Sequence, residues 1–148
     1  MEKLTEYVSE KIWLLEYPVR FGGMDLFGRT TIIRLENGDL IVHDPCKIDD
    51  STKGIIDEIG IVKYIIAPGS YHHLFVTDFQ EKYPDAETFL CPGLERKRPD
   101  IKFEWILGNK PDRRWEDAID QVLVQGTKHI WEVAFFINRR GRLFSWIY

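Results

Sequence analysis

Two strand–helix–strand passages in a row, between residues 40 and 91, constrain this chain most. Residues 40–43 form a short apolar run. Asp49, Asp50 and Ser51 then offer helix N-caps, and Ile55, Ile56 and Ile59 follow at helical spacing, with Gly60 as a stop. Residues 62–67 are a continuous apolar run, the pattern of a buried strand, broken by Pro68 and Gly69. Phe75, Phe79 and Tyr83 recur every fourth residue and predict a helix over residues 71–83, ended by Pro84 and Asp85. Residues 88–91 are the next buried strand. Crossovers of this kind make parallel strand pairs.

What precedes them is antiparallel in character. Residues 12–17 and 30–35 read as strands, and Glu36-Asn37-Gly38-Asp39 is a hairpin turn, because Asn-Gly tolerates positive φ. Residues 21–28 hold three glycines and read as a loop. Beyond Cys91, residues 92–99 read as a basic loop. Residues 103–107, 119–125, 132–137 and 143–147 read as strands, with a turn at 138–141. The expected fold is α/β, a mixed sheet with helices on at least one face, in one domain over residues 1–148.

Composition narrows the function classes. A 44% hydrophobic and 30% charged chain is globular material, and a net charge of -4 argues against nucleic acid as a main partner. Residues 1–10 carry alternating charges and no apolar run, so a signal peptide and a membrane anchor are not expected, and a cytoplasmic setting is. In that setting Cys46 and Cys91 are reduced, buried thiols.

Candidate chemistry gathers at strand ends. His43 and Asp44 follow the run at 40–42, where ligands collect in open α/β sheets. They can ligate a metal or a small molecule, or act as acid and base. Equally, Asp44 can open the turn into Pro45 while His43 packs on a neighbour. Tyr71-His72-His73 follows the strand at 62–67. If a helix begins there, His72 shares its apolar face with Phe75, Val76 and Phe79 and is the more buried histidine. The helix dipole would keep it neutral, the metal-binding form. Arg96-Lys97-Arg98 and Arg139-Arg140 read as solvated charge, and Glu132 as a polar residue at a strand edge.

The order of "LIVHDP", "VKYIIAPGSYHHLF", "YPDAETFLCPG", "AIDQVLVQG" and "EVAFF" resembles a divergent branch of the metallo-β-lactamase-like superfamily, one marked by the His-His-Leu-Phe tetrapeptide. The resemblance implies a partial αββα sandwich with its site at one edge. It also implies zinc or iron held by an H-x-H-x-D-H segment and activating a water. That segment falls on residues 67–72, where only His72 matches; Ala67, Gly69 and Tyr71 stand in the other ligand positions. A further ligand histidine falls near Lys128 or His129, and a bridging aspartate near Ile147, where no acid occurs. The chain corresponds to the first half to two-thirds of such a fold.

Catalytic zinc takes three protein ligands, so one matching position predicts zinc or iron at low occupancy at best. The favoured reading is a domain with a degenerate metal site that binds a small ligand or a partner without hydrolysis. The alternative is a metal-dependent hydrolase of an ester, lactone or phosphoester. Its unconventional site would use His72 and His73, with Asp44 and His129. The apolar residues 143–148 further suggest a homodimer, or another protein covering an open sheet, since the charges of residues 1–9 suit a cover less well.

Overall fold

The computed structural model describes residues 3–139 and 142–147, with side chains through residue 137. Its first four strands are β1 (Leu4–Val8), β2 (Ile12–Phe21), β3 (Met24–Arg34) and β4 (Asp39–His43), joined antiparallel as successive neighbours. The β3–β4 turn lies at residues 36–38, as the Asn-Gly signal requires, with Gly38 at φ 90°.

Helix α1 (Asp50–Ile59) is capped by Asp49, whose Oδ1 accepts the Thr52 amide at 2.7 Å. Ile56 of α1 is fully buried and Ile59 half-buried, whereas Ile55 is exposed. Gly60 ends the helix in extended backbone, and a side chain there would collide with the Gly38 carbonyl oxygen. Strand β5 (Ile61–Ala67), helix α2 (Val76–Lys82) and strand β6 (Glu87–Leu90) follow. After them come the short helix α3 (Leu94–Lys97) and the two-residue strand β7 (Trp105–Ile106). Strands β4 to β7 are parallel, so one seven-stranded mixed sheet runs in chain order. The two crossovers thus produce the parallel pairs their pattern predicts.

A second, antiparallel sheet has the order β10-β9-β8, from β8 (Ile119–Gln125), β9 (Trp131–Arg139) and β10 (Arg142–Ile147). Trp115, 1% exposed, helps weld the two sheets. Its ring lies 4.8 Å from Phe89 of β6 and 5.9 Å from Phe135 of β9, and its Nε1–H donates to Gln121 of β8. Cys46 and Cys91 are both fully buried, and burial together with nearby Glu132 and Glu95 pushes the Cys91 thiol up to about 12. Among the described residues no helix is long and apolar enough to cross a membrane.

Three expectations are corrected. Residues 21–28 are not a loop. Gly22 and Gly23, at φ 57° and 81°, form a two-residue hairpin turn, and β3 begins at Met24. Gly28 instead lies within β3 opposite Tyr17, whose ring occupies the space a side chain would need. Helix α2 starts at Val76, not at Tyr71, because the backbone of residues 68–70 is taken up by the second sheet. Ser70 N–H donates to Trp131 O (3.0 Å), Val133 N–H donates to Pro68 O (2.7 Å), and Gly69 bridges Glu132. The basic loop contains α3, entered through Gly93 at φ 96°. Residues 4–8, for which no strand was expected, pair with the large sheet as its edge strand β1. The side chains of residues 143–148, on which the expectation of self-association rested, lie outside the described ones.

Candidate functional site

The end of β4 is tied down on both sides. Asp44 N–H donates to Ile66 O of β5 (3.0 Å), and the buried Thr30 hydroxyl donates to Asp44 O (2.6 Å). Asp44 reverses the chain at φ 54°, a conformation that aspartate tolerates better than most residues. Its side chain, 11% exposed, turns towards His72.

His72 lies in the 68–75 segment that the second sheet holds. Its Nδ1–H donates to Asp44 Oδ2 (2.8 Å), and its Nε2 faces Glu132 Oε1 of β9 at 3.5 Å. The imidazole therefore sits between carboxylates from two different sheets. The Asp44 hydrogen bond raises its pKa against the opposing effect of burial, and the charges of Asp44 and Glu132 add to the rise. Imidazolium, not the neutral ring, is the form this setting favours.

The other candidates separate from this pair. His43 is 3% exposed and packs on Phe135 at 5.2 Å. Burial holds its pKa down at about 4, and its Nε2 is the one buried side-chain atom among the described residues without a hydrogen bond. His73, at 7% exposed, is more buried than His72, reversing the expected order. No helix face orders the two rings there, and His73 turns inward to accept Arg98 Nη1 on its Nδ1 (3.0 Å). Burial, Lys97 and Arg98 lower its pKa.

His129 is exposed in the β8–β9 connection, where its backbone N–H donates to Thr127 Oγ1. Tyr71 is half exposed, edge-on to Phe21 at 5.8 Å, with the Lys97 ammonium 4.6 Å over its ring. Two of the three basic-loop residues are engaged: Lys97 donates to Ser70 O, and Arg98 to His73 and Asp100. The side chains of Arg139 and Arg140 lie outside the described residues.

A cavity of about 370 Å³ opens beside Asp44 and His72. Tyr17, Val19 and Phe21 of β2 and Leu26 and Phe27 of β3 form one wall, and Tyr71 and Leu74 the other. The exposed pair Glu16–Arg29, 2.7 Å apart, stands at its rim. A glycine count that made residues 21–28 a loop concealed this wall. The signal that could have revealed it is the uninterrupted strand composition on both sides of Gly22-Gly23. A second cleft of about 480 Å³, around Trp105 and Arg114, shares no lining residue with the first.

The described side chains at this site do not make up a catalytic metal set. Asp44 occupies Nδ1 of His72, which leaves Nε2 and Glu132 as one possible ligand pair. Among the described residues no three His, Cys, Asp or Glu converge to hold an ion. A side chain at Gly69 would come within 3.1 Å of His72 Cδ2 and 3.4 Å of Glu132 Cγ, so a histidine there would make the imidazole of His72 give by a few tenths of an ångström.

No curated protein sequence matches this chain. Solved structures do match in fold. A DIM-1 metallo-β-lactamase exposed to ceftazidime superposes at TM-score 0.70 with 12% identity, over 92% of this chain and 65% of that one. A metallo-β-lactamase from Pontibacter korlensis gives 0.68 and 10%, over 93% and 67%. The FIM-1 enzyme from Pseudomonas aeruginosa in its mono-zinc form gives 0.62 and 11%, over 90% and 63%. The fold is thus a metallo-β-lactamase-like sandwich, and the chain spans about two-thirds of the length of these enzymes. A family model, the domain of unknown function DUF4336, matches residues 9–139, and the chain with its clasped His72 belongs to that family.

Proposed function

We propose that this chain is a binding protein on a hydrolase-like fold: it takes a small molecule with an apolar body into the cavity beside Asp44 and His72, and performs no metal-dependent hydrolysis. The observation that carries the reading is that cavity, walled by aromatic and aliphatic side chains with the polar pair Asp44 and His72 in its lining. Ligand sites are commonly of this kind, a largely apolar pocket of a few hundred Å³ with few polar groups. A water-activating metal needs three protein ligands and an open position, and among the described residues no three His, Cys, Asp or Glu converge to supply them.

Two measurements on the purified chain test this. Titration with aromatic and aliphatic fragments, followed by amide NMR, is expected to move resonances of Val19, Phe21, Leu26, Gly28 and Leu74 together and saturably. Elemental mass spectrometry is expected to find well under one equivalent of zinc or iron. A tightly held stoichiometric metal, with ester, lactone or phosphoester cleavage lost on chelation, would replace this reading with the hydrolase one.

A further inference from the structure

The cavity carries polar atoms that the protein leaves unanswered. Asp44 is 8% exposed, and one of its carboxylate oxygens accepts from His72. The other, Oδ1, receives no hydrogen bond among the described residues, although Asp44 lines the cavity. Tyr17 is 7% exposed and also lines it, and its hydroxyl has no hydrogen-bond partner among the described residues either. Neither atom is sealed off, since the one fully buried unsatisfied side-chain atom is His43 Nε2. A free carboxylate oxygen and a free phenol oxygen thus lie beside a largely apolar, aromatic space.

A carboxylate can only accept, so what completes this end must donate. We propose that the ligand is an organic ammonium, a primary amine on an aryl or alkyl body, with its head on Asp44 Oδ1 and Tyr17 Oη. This rests on the proposed cavity site and goes further by naming the head group. The nearby positive groups are already engaged: Arg29 by Glu16, Lys97 by the Ser70 carbonyl, and His72 by Asp44 and Glu132. Phe21 and Tyr71 supply ring faces and edges for the body, and an ammonium beside aromatic rings gains cation–π attraction. Lys97 over Tyr71 is the protein's own instance of that contact.

The test is a matched series on the full chain by calorimetry: phenylbutylammonium, phenylbutanol and phenylbutanoate, which share one body and differ in head. The ammonium is expected to bind about tenfold tighter than the alcohol, the worth of one charge-assisted hydrogen bond. The carboxylate should bind weakest. Asp44→Asn should bring ammonium and alcohol within about twofold of each other. Tyr17→Phe should reduce ammonium binding by several-fold, and it gives an answer should Asp44→Asn fail to fold. Equal binding of ammonium and alcohol, or tightest binding of the carboxylate, overturns the ammonium head while leaving the cavity reading intact. If none of the three binds, the cavity reading itself falls, and this inference with it.

Discussion

The imidazole of His72 lies between Asp44 from the large sheet and Glu132 from the small one. With its folded pKa raised, the pairing contributes stability that is fully present below the ordinary histidine value of about 6.5. That contribution is lost as pH rises through the raised value. His43 works in the opposite sense. It is buried neutral, and its stabilising effect is present above about 6.5 and lost as pH falls towards about 4. In a histidine NMR titration, His72 is expected to titrate above free histidine and His43 to remain neutral down to about pH 4. Asp44→Asn should return His72 towards or below the ordinary value. A His72 that titrates below the ordinary value in the unaltered chain would contradict the geometry. Asp44 and His72 were legible in the sequence because both stand where a strand runs out. Their partnership was not, since 28 residues separate them and Glu132 comes from the other sheet. His73 departs from the helical pattern for a local reason. Its burial follows from Arg98, a contact that helical periodicity cannot express.

Among the elements, β4, β5 and β6 followed from apolar continuity, and α1 from its cap and spacing. The β2–β3 hairpin did not, because glycine has two different uses in it. Gly22 and Gly23 supply positive φ for the turn, whereas Gly28 supplies room for Tyr17. Helix α2 was misplaced because its first expected turn spends its backbone hydrogen bonds on β9. The hairpin gives a direct test. Gly28→Ala forces the Tyr17 ring out of its place against β3, an overpacking change worth about 1–3 kcal/mol. Urea unfolding is expected to show that loss, and ligand binding in the cavity should weaken beyond what stability explains. An unchanged midpoint and unchanged binding would show that Tyr17 adapts freely.

The whole molecule depends on two sheets meeting. Trp115 touches Phe89 of the large sheet and Phe135 of the small one, and its indole N–H donates to Gln121. Trp115→Ala should cost about 3–5 kcal/mol, read as a lowered unfolding midpoint. It should also disturb His72, whose two carboxylates separate if the sheets part. The β2–β3 hairpin adds a gradient to this architecture. Among the described residues β1 pairs with β2 no further than Leu15, and β4 pairs with β3 only from Thr31 on. Among the described residues, 16–30 therefore form a two-stranded ribbon, a form marginally stable by itself. Edge-on contacts of Tyr17 with Phe75 and Phe21 with Tyr71 hold it to the body. Pro18, without an amide hydrogen, lies beyond the described pairing of β1 with β2, so this edge of β2 offers a poor template for another strand. In deuterium exchange the amides of residues 19–27 should trade their protons orders of magnitude faster than those of Ile32, Ile41 and Ile65. A bound ligand should slow the ribbon first and the sheet centre least.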